Sequence, residues 1–364
     1  MVSGAEELPD DCTTDESCGS SHEDVHGHQS AIAHVDSQRS EVHTRCYNVQ
    51  MPALPLVDDS LSAAFTSMKL ANVASGAFDG GGEWALEFPT AGGFKLHLVT
   101  FGEAWLSVAG ARKKLRLVAG DCALITNGRA TIISGAATPR APLALSAVKR
   151  DAQNGVVRLG LGGDCFSLGL QFGFDGHLPG ILFARLPPVI HVDGARTDAA
   201  QLRAHVEAFR AEYVRHGVGR SFLLHHLAPI ILMQIVRVYL ASATTDRNWL
   251  TALSDARLSC VFDAIHMRYH EAWSVARLGK LAGMSRSGFA LRFRHAAGTA
   301  PMDYLASWRI QMACTQLRER NDTIAAIASA VGYASTSAFS TAFTRALHCR
   351  PGVYRARTSL QRGA

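Results

Sequence analysis

The residues with the most specific chemistry lie in two segments near the C-terminus. Both segments combine short polar side chains with arginines. Hydroxyl groups and small apolar groups can contact base edges in a DNA groove, while guanidiniums bond phosphate oxygens. The residues expected to face outward are Arg286, Ser287, Ala290, Leu291 and Arg294 in the first segment and Ser335, Thr336, Ser337, Ser340, Thr341 and Arg345 in the second. These residue types predict noncovalent recognition of DNA.

The scaffold that must position these residues is a repeat. Gly283 in the first segment matches Gly332 in the second at an offset of 49 residues, and Pro301 matches Pro351 at an offset of 50. A match of this detail indicates one supersecondary unit used twice.

Each copy is predicted to contain two short helices joined by a tight turn. The first helices span Val275–Ala282 and Ile324–Val331 and end where a glycine allows a left-handed conformation. Ser285 in one copy, and Ser335 or Thr336 in the other, can cap the second helix. In the second helices, phenylalanines at i, i+4 spacing (Phe289 and Phe293, Phe339 and Phe343) would pack inward and leave the opposite face free. This arrangement predicts a helix-turn-helix.

Charge supports DNA as the partner of these helices. Residues 252–364 contain 15 arginines and lysines against six aspartates and glutamates, a net charge of +9, and 14 of the 15 are arginine, which suits phosphate contact. The alternative is that the two hairpins are only the core of an all-helical domain that does not touch DNA.

The N-terminal region has the opposite charge. Residues 1–44 contain ten acidic residues and one basic residue with few large apolar side chains, so residues 1–45 are expected to form a disordered acidic tail. The stretch HEDVHGH at His22–His28, with Cys12 and Cys18, fits no tetrahedral metal site. The tail also lacks the basic start and apolar stretch of a secretory signal.

The cysteines and one apolar stretch indicate where in the cell the protein is expected. The eight cysteines lack a framework spacing, which suits reduced thiols in a cytoplasm. The longest apolar run, Phe222–Ala241, contains His225, Pro229 and Arg237, which argue against a membrane span. We therefore expect a cytoplasmic protein with no membrane contact.

The centre of the chain changes from one periodicity to another. Short alternating segments separated by glycine turns, from Leu54 to about Val192, predict a β-barrel or sandwich. Two helical stretches follow, at Asp198–His216 and Ser221–Ala241. The second has a broad apolar face, formed by Leu223, Leu224, Leu227, Ile231, Gln234, Ile235 and Val238. Such a face indicates either a dimer contact or an intrachain helical hairpin.

These motifs together resemble the AraC family of transcriptional regulators. The pattern WxVxxLxxxxGMSRSxFxxxF at Trp273–Phe293 and the pattern IAxxxGYxSxSxFxxxFxR at Ile327–Arg345 are similar to the family's paired DNA-binding motifs. The segment PMDYLASWRIQMACTQL at Pro301–Leu317 resembles its linker helix. The segment Phe166–Val192 is similar to the branch that carries an N-terminal cupin barrel.

The resemblance implies an α+β fold: a cupin-like β-barrel, a helical coupling region, and an all-α domain with two helix-turn-helix motifs joined by a linker helix. The implied boundaries are 46–195 for the cupin-like regulatory domain, 196–245 for the coupling and dimerisation region, and 252–358 for the DNA-binding domain. The implied function is a sequence-specific regulator, more often an activator. We expect double-stranded DNA, RNA polymerase, a second copy of the chain and a small effector as partners.

Two other classes of protein compete with this interpretation. A metal-dependent cupin enzyme needs several histidines and a carboxylate around one metal, but only His97 and Glu103 are available, and Thr131 stands where a histidine ligand is expected. We therefore expect no catalytic residue, metal or cofactor.

A nonspecific DNA-binding protein is the second competitor. In the first reading helix Ser287, Ala290 and Leu291 cannot make a bidentate guanine contact, so this motif is expected to position more than to select.

Trp84, His97 and Trp105 are the predicted lining of an effector pocket. Aromatic residues in a barrel are more often core than ligand contacts, and a lone histidine is more often packed than ligating. A barrel that only dimerises, without binding any ligand, is the open alternative.

Overall fold

A computed structural model of the chain describes residues 59–360 apart from residues 69, 140, 146–154, 177, 216, 243–247 and 254. The predicted acidic tail at residues 1–45, with its histidines and cysteines, lies outside the described residues.

Ten strands make up the sheet region of the described chain. They are β1 (Leu70–Gly81), β2 (Ala85–Phe88), β3 (Phe94–Val108), β4 (Leu115–Val118), β5 (Cys122–Ile125), β6 (Thr131–Ser134), β7 (Leu143–Ala144), β8 (Val156–Gly160), β9 (Cys165–Phe174) and β10 (Val189–Val192). The main strand order is β7-β2-β6-β3-β9-β1-β8, with β4 and β5 also paired to β3 and β10 paired to β5.

The long strand β3 connects the two halves of this sheet. Its first part, Phe94–Gly102, pairs with β9 on one side. On the other side, Lys95–Leu98 of this part pair with β5. Its second part, Glu103–Val108, pairs with β4 and β6. Among the described strands β7 and β8 do not pair with each other, so the sheet is an open half-barrel.

Twelve helices are found in the described residues. They are α1 (Ser60–Met68), α2 (Leu178–Leu182), α3 (Ala200–Val214), α4 (Arg220–Ala241), α5 (Trp249–Leu253), α6 (Ala256–Met267), α7 (Val275–Leu281), α8 (Arg286–Ala297), α9 (Pro301–Glu319), α10 (Ile324–Ala330), α11 (Thr336–Leu347) and α12 (Pro351–Leu360). Single 3₁₀ turns lie at Phe183–Arg185 and Thr197–Ala199. Strands followed by a helical half confirm the predicted α+β class.

Helix α1 corrects the prediction of short strands throughout the segment that begins at Leu54. Its apolar residues Leu61, Ala64, Phe65 and Met68 follow the i, i+3, i+4, i+7 spacing of a helix. Ala64 and Met68 are fully buried. The helical period is therefore present in the sequence of α1, although the segments that follow it alternate with the period of strands.

The hydrophobic core extends from the sheet into the helical half. Alternate residues of β3 face opposite sides, as in any strand. Leu96 and Leu98 join a core that continues through α1–α6 into α7 and α8, whereas Val99 belongs to a smaller core inside the half-barrel. A third core lies under α10–α12 and the second half of α9. The first helix-turn-helix therefore shares its core with the sheet, while the second has a core of its own.

Helices α3 and α4 pack against each other as a pair. Helix α4 is the one helix in the described residues that is long and apolar enough to cross a membrane by length and composition. Its Ile231, Ile235 and Tyr239 side chains are buried in the core. Its N-terminal half leaves Phe222, 67% exposed, and Ile230 at the surface.

Candidate DNA-binding surface

The first helix-turn-helix consists of α7 and α8. Ser274 caps α7 by accepting a hydrogen bond from the Arg277 N–H at 3.2 Å. Ser285 caps α8 by accepting from the Gly288 N–H at 3.2 Å. Each cap satisfies one of the N–H groups that have no partner within the helix. The predicted capping role of Ser285 is confirmed.

Two phenylalanines anchor α8 from behind. Phe289 and Phe293 are fully buried, with ring centroids 5.6 Å apart. The Phe293 ring also lies 5.1 Å from Phe262 of α6 and 5.6 Å from Tyr304 of α9. The i, i+4 spacing of the two rings thus fixes which face of α8 turns to solvent.

The second helix-turn-helix, α10 and α11, has the same construction. Thr323 caps α10, and Ser335 caps α11 by accepting from the Ala338 N–H at 3.2 Å. Between the pair predicted for this cap, Ser335 or Thr336, the structure selects Ser335. Phe339 and Phe343 are fully buried, 5.5 Å apart.

The side chains predicted to read DNA all lie on α8 and α11 or, for Ser335, at the first cap of α11. Nine of the eleven are exposed, and two are half-buried: Ala290 and Ser340. Leu291 is 69% exposed. Each predicted set therefore lies on a single helix with most of its side chains exposed.

The arginines of this region fall into two groups. Arg286, Arg294 and Arg345 form no ion pair within the described residues. Arg292, by contrast, bonds Asp255 through its Nε at 3.0 Å. Arg277 binds Glu271 at 2.6 Å and stacks over the Trp273 ring at 4.1 Å. The first group keeps its guanidiniums available for phosphate oxygens, whereas the second group is used within the fold.

The predicted effector pocket is not assembled as one site. His97 lines a cavity of about 80 Å³ together with Lys95, Phe78 and Phe88. Trp84 lines a different pocket, of about 280 Å³. Trp105 lies on the second part of β3, opposite Arg116 of β4, and is half-buried. His97 and Trp105 lie on the two differently paired parts of β3, and His97 and Trp84 line different pockets.

The cavity beside His97 contains two buried nitrogen-bearing side chains. Burial, followed by repulsion from Lys95, lowers the pKa of His97 to about 4, so the imidazole is neutral at pH 7. Its Nε2 lies 3.3 Å from the Thr131 hydroxyl. The Lys95 ammonium bonds the carbonyls of Phe88, Pro89 and Arg129. These contacts leave a small space lined by apolar side chains, the neutral His97 imidazole and the Lys95 ammonium.

Within the described residues there is no group of three or more histidine, cysteine, aspartate or glutamate side chains that could hold a metal ion. Thr131, at the expected position of a histidine ligand, instead contacts His97. Glu103 points to Arg116, to which it is ion-paired. The side chains that a cupin metal site would use are therefore occupied by one another or by neighbours.

Two polar residues of α9 were missed by the sequence reasoning. Arg309 and Gln311 lie in the middle of this helix, and Gln311 is fully buried. Gln311 Nε2 donates to the Ser67 carbonyl at 2.8 Å and to the Asp175 carbonyl at 3.1 Å, and its Oε1 accepts from the Leu178 N–H at 3.3 Å. The signal in the sequence was a polar residue in the middle of the linker helix. Such a side chain requires hydrogen-bond partners if it is buried.

Comparison with known proteins agrees with this geometry. A family model described as a cupin matches residues 59–241, and a model described as a helix-turn-helix domain matches residues 278–357. An AraC-like transcription regulator of Streptomyces lividans is 35% identical over 299 residues, which cover 82% of this chain and 98% of the relative. The chain belongs to the AraC family of transcriptional regulators.

Other AraC-family comparisons are more distant or cover less of the chain. The transcriptional regulator AlkR of Acinetobacter baylyi is 29% identical over 281 residues, 75% of this chain and 91% of AlkR. The DNA-binding domain of AdpA, solved in complex with a target DNA, is 31% identical, with a TM-score of 0.28, and the match covers 29% of this chain and 96% of that domain.

Membership in the AraC family decides between the function classes. The predictions of a cupin-like domain and of an AraC-type DNA-binding domain are confirmed, and this chain is a DNA-binding transcriptional regulator rather than an enzyme. The metal-dependent enzyme finds no support among the relatives.

Proposed function

We propose that α8 and α11 read adjacent segments of one DNA duplex, about one helical turn apart. The observation that carries the proposal is that both helices are capped at the start, held from behind by a buried phenylalanine pair, and open on the opposite face. The reading set is Arg286, Ser287, Ala290, Leu291 and Arg294 on α8, and Ser335, Thr336, Ser337, Ser340, Thr341 and Arg345 at α11.

In this proposal the two helices have different tasks. The α8 face offers Ala290 and Leu291, which can contact a thymine methyl group but cannot donate a pair of hydrogen bonds to guanine. The α11 face offers several hydroxyl groups, which can bond base edges. We therefore assign most of the positioning to α8 and most of the sequence choice to α11, with Arg294 and Arg345 on phosphates.

We also propose that a small effector controls the regulator. The space of about 80 Å³ beside His97 supports a compact and largely apolar effector. The three hydrogen bonds of Gln311 connect the linker helix α9 to α1, to the end of β9 and to the start of α2. A change in the half-barrel would reach α9 through these contacts. Such control requires that the effector bind one arrangement more tightly than another.

The active form is proposed to be a homodimer, formed through α4. Phe222, Leu223 and Ile230 are exposed on the N-terminal half of this helix, and Val218 before it is fully exposed. A second copy presenting the same surface would cover these apolar side chains, as in other two-fold interfaces. Light scattering of Ile230→Glu should give monomers where the unmodified chain gives dimers. Monomers of the unmodified chain at micromolar concentration would exclude the dimer.

The remaining parts of the proposal follow from the family. Residues 46–195 would sense the effector, residues 196–245 would couple and dimerise, and residues 252–358 would bind DNA. The regulator would act in the cytoplasm and, as an activator, would contact RNA polymerase.

The test of the proposed function is binding of the purified full chain to its own upstream DNA and to a scrambled duplex, titrated by fluorescence anisotropy near physiological salt. A preference of about a thousandfold or more for the upstream DNA is expected of specific recognition. Equal binding with a steep salt dependence would instead support nonspecific electrostatic attachment.

A further inference from the structure

The guanidinium of Arg309 lies between the two helix-turn-helix motifs. Arg309 Nε donates to the Tyr269 carbonyl at 2.8 Å, and Nη2 donates to the Glu271 carbonyl at 2.8 Å. Both carbonyls belong to the segment between α6 and α7, just before the Ser274 cap of the first motif. Arg309 therefore holds the entry to the first motif from the linker helix.

The other side of the same guanidinium faces the turn of the second motif. Arg309 Cζ lies 5.8 Å from the centre of the Tyr333 ring. The Tyr333 ring in turn meets Phe339 edge-on at 5.5 Å, and Phe339 is the first anchor of α11. The guanidinium is thus in contact with residues that determine where both reading helices stand.

Gly332 shows how tightly this junction is packed. Its φ is +85°, and a Cβ there would lie 2.6 Å from the His270 carbonyl and 2.9 Å from Arg309 Nη2. Both distances are too short for a side chain, so only glycine lets the turn of the second motif approach the segment before the first. The two motifs meet directly at this point.

Arg309 is unusual in being charged and half-buried without an acidic partner. Within the described residues it forms no ion pair, and burial lowers the pKa of its guanidinium. A desolvated charge without a counter-charge is costly. The planar fork of arginine, which reaches two carbonyls at once, gives a geometric reason for its presence that lysine would not satisfy.

We infer that Arg309 is a positioning residue that sets the separation of α8 and α11, and thereby the spacing between the two DNA segments that the regulator accepts. The inference rests on the proposed function, in which both helices read DNA. Beside these polar contacts, Tyr269 packs against both the first and the third hydrophobic cores. Without the fork, the second motif can turn relative to the first about α9.

Operator spacing is the readout that separates this role from a purely structural one. The full chain and its Arg309→Met variant would each select binding sites from a random duplex library, followed by sequencing. Duplexes with the selected spacing, with one base pair more or less, and with a single segment would then be titrated. One base pair changes the separation by about 3.4 Å. Arg320→Met, an exposed arginine just beyond α9, is the matched control.

The unmodified chain is expected to prefer one spacing by about tenfold or more. Arg309→Met should lower affinity for that spacing by about tenfold, keep affinity for a single segment within about twofold, and bind the three spacings nearly equally. Arg309→Lys should fall between the two, and Arg320→Met should match the unmodified chain. An Arg309→Met variant that keeps the full preference for one spacing would overturn the inference.

A second variant, Tyr333→Leu, tests the inference independently in case Arg309→Met does not fold. Tyr333→Leu leaves both carbonyl bonds in place and removes the ring that faces the guanidinium and meets Phe339. A flattened spacing preference in this variant supports the inference, and an unchanged preference in a folded protein refutes it. If the unmodified chain selects no sequence at all, the proposed function itself fails, which is a different result from an unchanged preference in the variants.

Discussion

The arginines of the two reading helices differ in whether an acidic side chain already holds them. Arg294 has no ionic partner in the part of the chain that the structure describes, whereas Arg292, two residues earlier on α8, bonds Asp255 at the cap of α6. Sequence alone gives both residues the same charge and nearly the same position. The ion pair with Asp255 makes Arg292 a link between two helices, whereas Arg294 stays available to DNA.

Arg294→Ala should therefore weaken binding to every DNA sequence by a similar factor. Loss of one phosphate contact should reduce the slope of log affinity against log salt by about 1. Arg292→Ala is the control and should leave this slope unchanged. Anisotropy titrations at several salt concentrations measure both. A loss limited to one base of the operator would mean that Arg294 reads sequence instead.

Ser335 and Thr323 both cap helices, but only Ser335 belongs to the proposed reading set. Ser335 and Thr323 each accept a hydrogen bond from an N–H three residues later, at 3.2 Å and 3.1 Å. The two caps begin α11 and α10. Equal capping geometry at two places allows stability and DNA contact to be separated.

Both Ser335→Ala and Thr323→Ala should cost about 1 kcal/mol of unfolding free energy, as removal of a hydroxyl cap usually does. Only Ser335→Ala should also lower affinity for specific DNA, because Ser335 belongs to the proposed reading set. Urea unfolding and anisotropy on the same samples provide the comparison. Equal losses of DNA affinity in the two variants would remove Ser335 from the reading set.

At the scale of the whole molecule, the first motif shares a hydrophobic core with the cupin half and the second motif does not. The core that begins under β3 continues into α8, whereas α11 packs over a separate core. Gln311 adds a buried polar connection between α9 and three elements of the cupin region. A disturbance in the half-barrel can therefore reach the linker helix without unfolding either half.

Gly176→Ala should weaken this connection. Gly176 has a φ of +95°, and a Cβ at this position would lie 2.1 Å from Gln311 Oε1. We expect a loss of about 1 to 3 kcal/mol from backbone strain and displaced hydrogen bonds. If the contact is shared, the double variant Gly176→Ala with Gln311→Ala should lose less than the sum of the two single losses in urea unfolding. Strict additivity would show that the two residues act separately.

Acid should destabilise the molecule because two histidines are buried in neutral form. Burial lowers the pKa of His97 to about 4 and that of His266 to about 3, and His266 stacks on Trp308 at 3.6 Å. Below the unfolded pKa of about 6.5 the unfolded chain binds protons that the folded chain does not, so stability falls as pH decreases. The loss should continue until the folded pKa values are reached.

At pH 5.5 the loss should be about 1 kcal/mol for each of the two histidines relative to pH 7.5. Urea unfolding at the two pH values measures the loss. His266→Gln, which cannot titrate in this range, should remove about half of the difference while lowering stability at both pH values. A pH-independent free energy of unfolding between pH 7.5 and 5.5 would contradict this expectation.

The sequence by itself determined the paired helix-turn-helix, including its turns and the cap residue Ser285. These features depend on signals within about ten residues, such as Gly283 at the turn and phenylalanines at i, i+4 spacing, and local backbone physics is enough to decide them. The alternating strands of the cupin region were also predictable, because their period of two is local. Helix α1 carried an equally local signal that the alternating segments obscured.

Only the tertiary structure decided which distant residues meet. Trp84, His97 and Trp105 are all aromatic residues of the half-barrel, yet Trp84 and His97 line different pockets and Trp105 lies on the second part of β3. Gln311 bonds Ser67, which is 244 positions earlier in the chain, and Arg309 bonds two carbonyls near α7. No periodic pattern encodes such contacts, because they depend on how complete elements pack against one another.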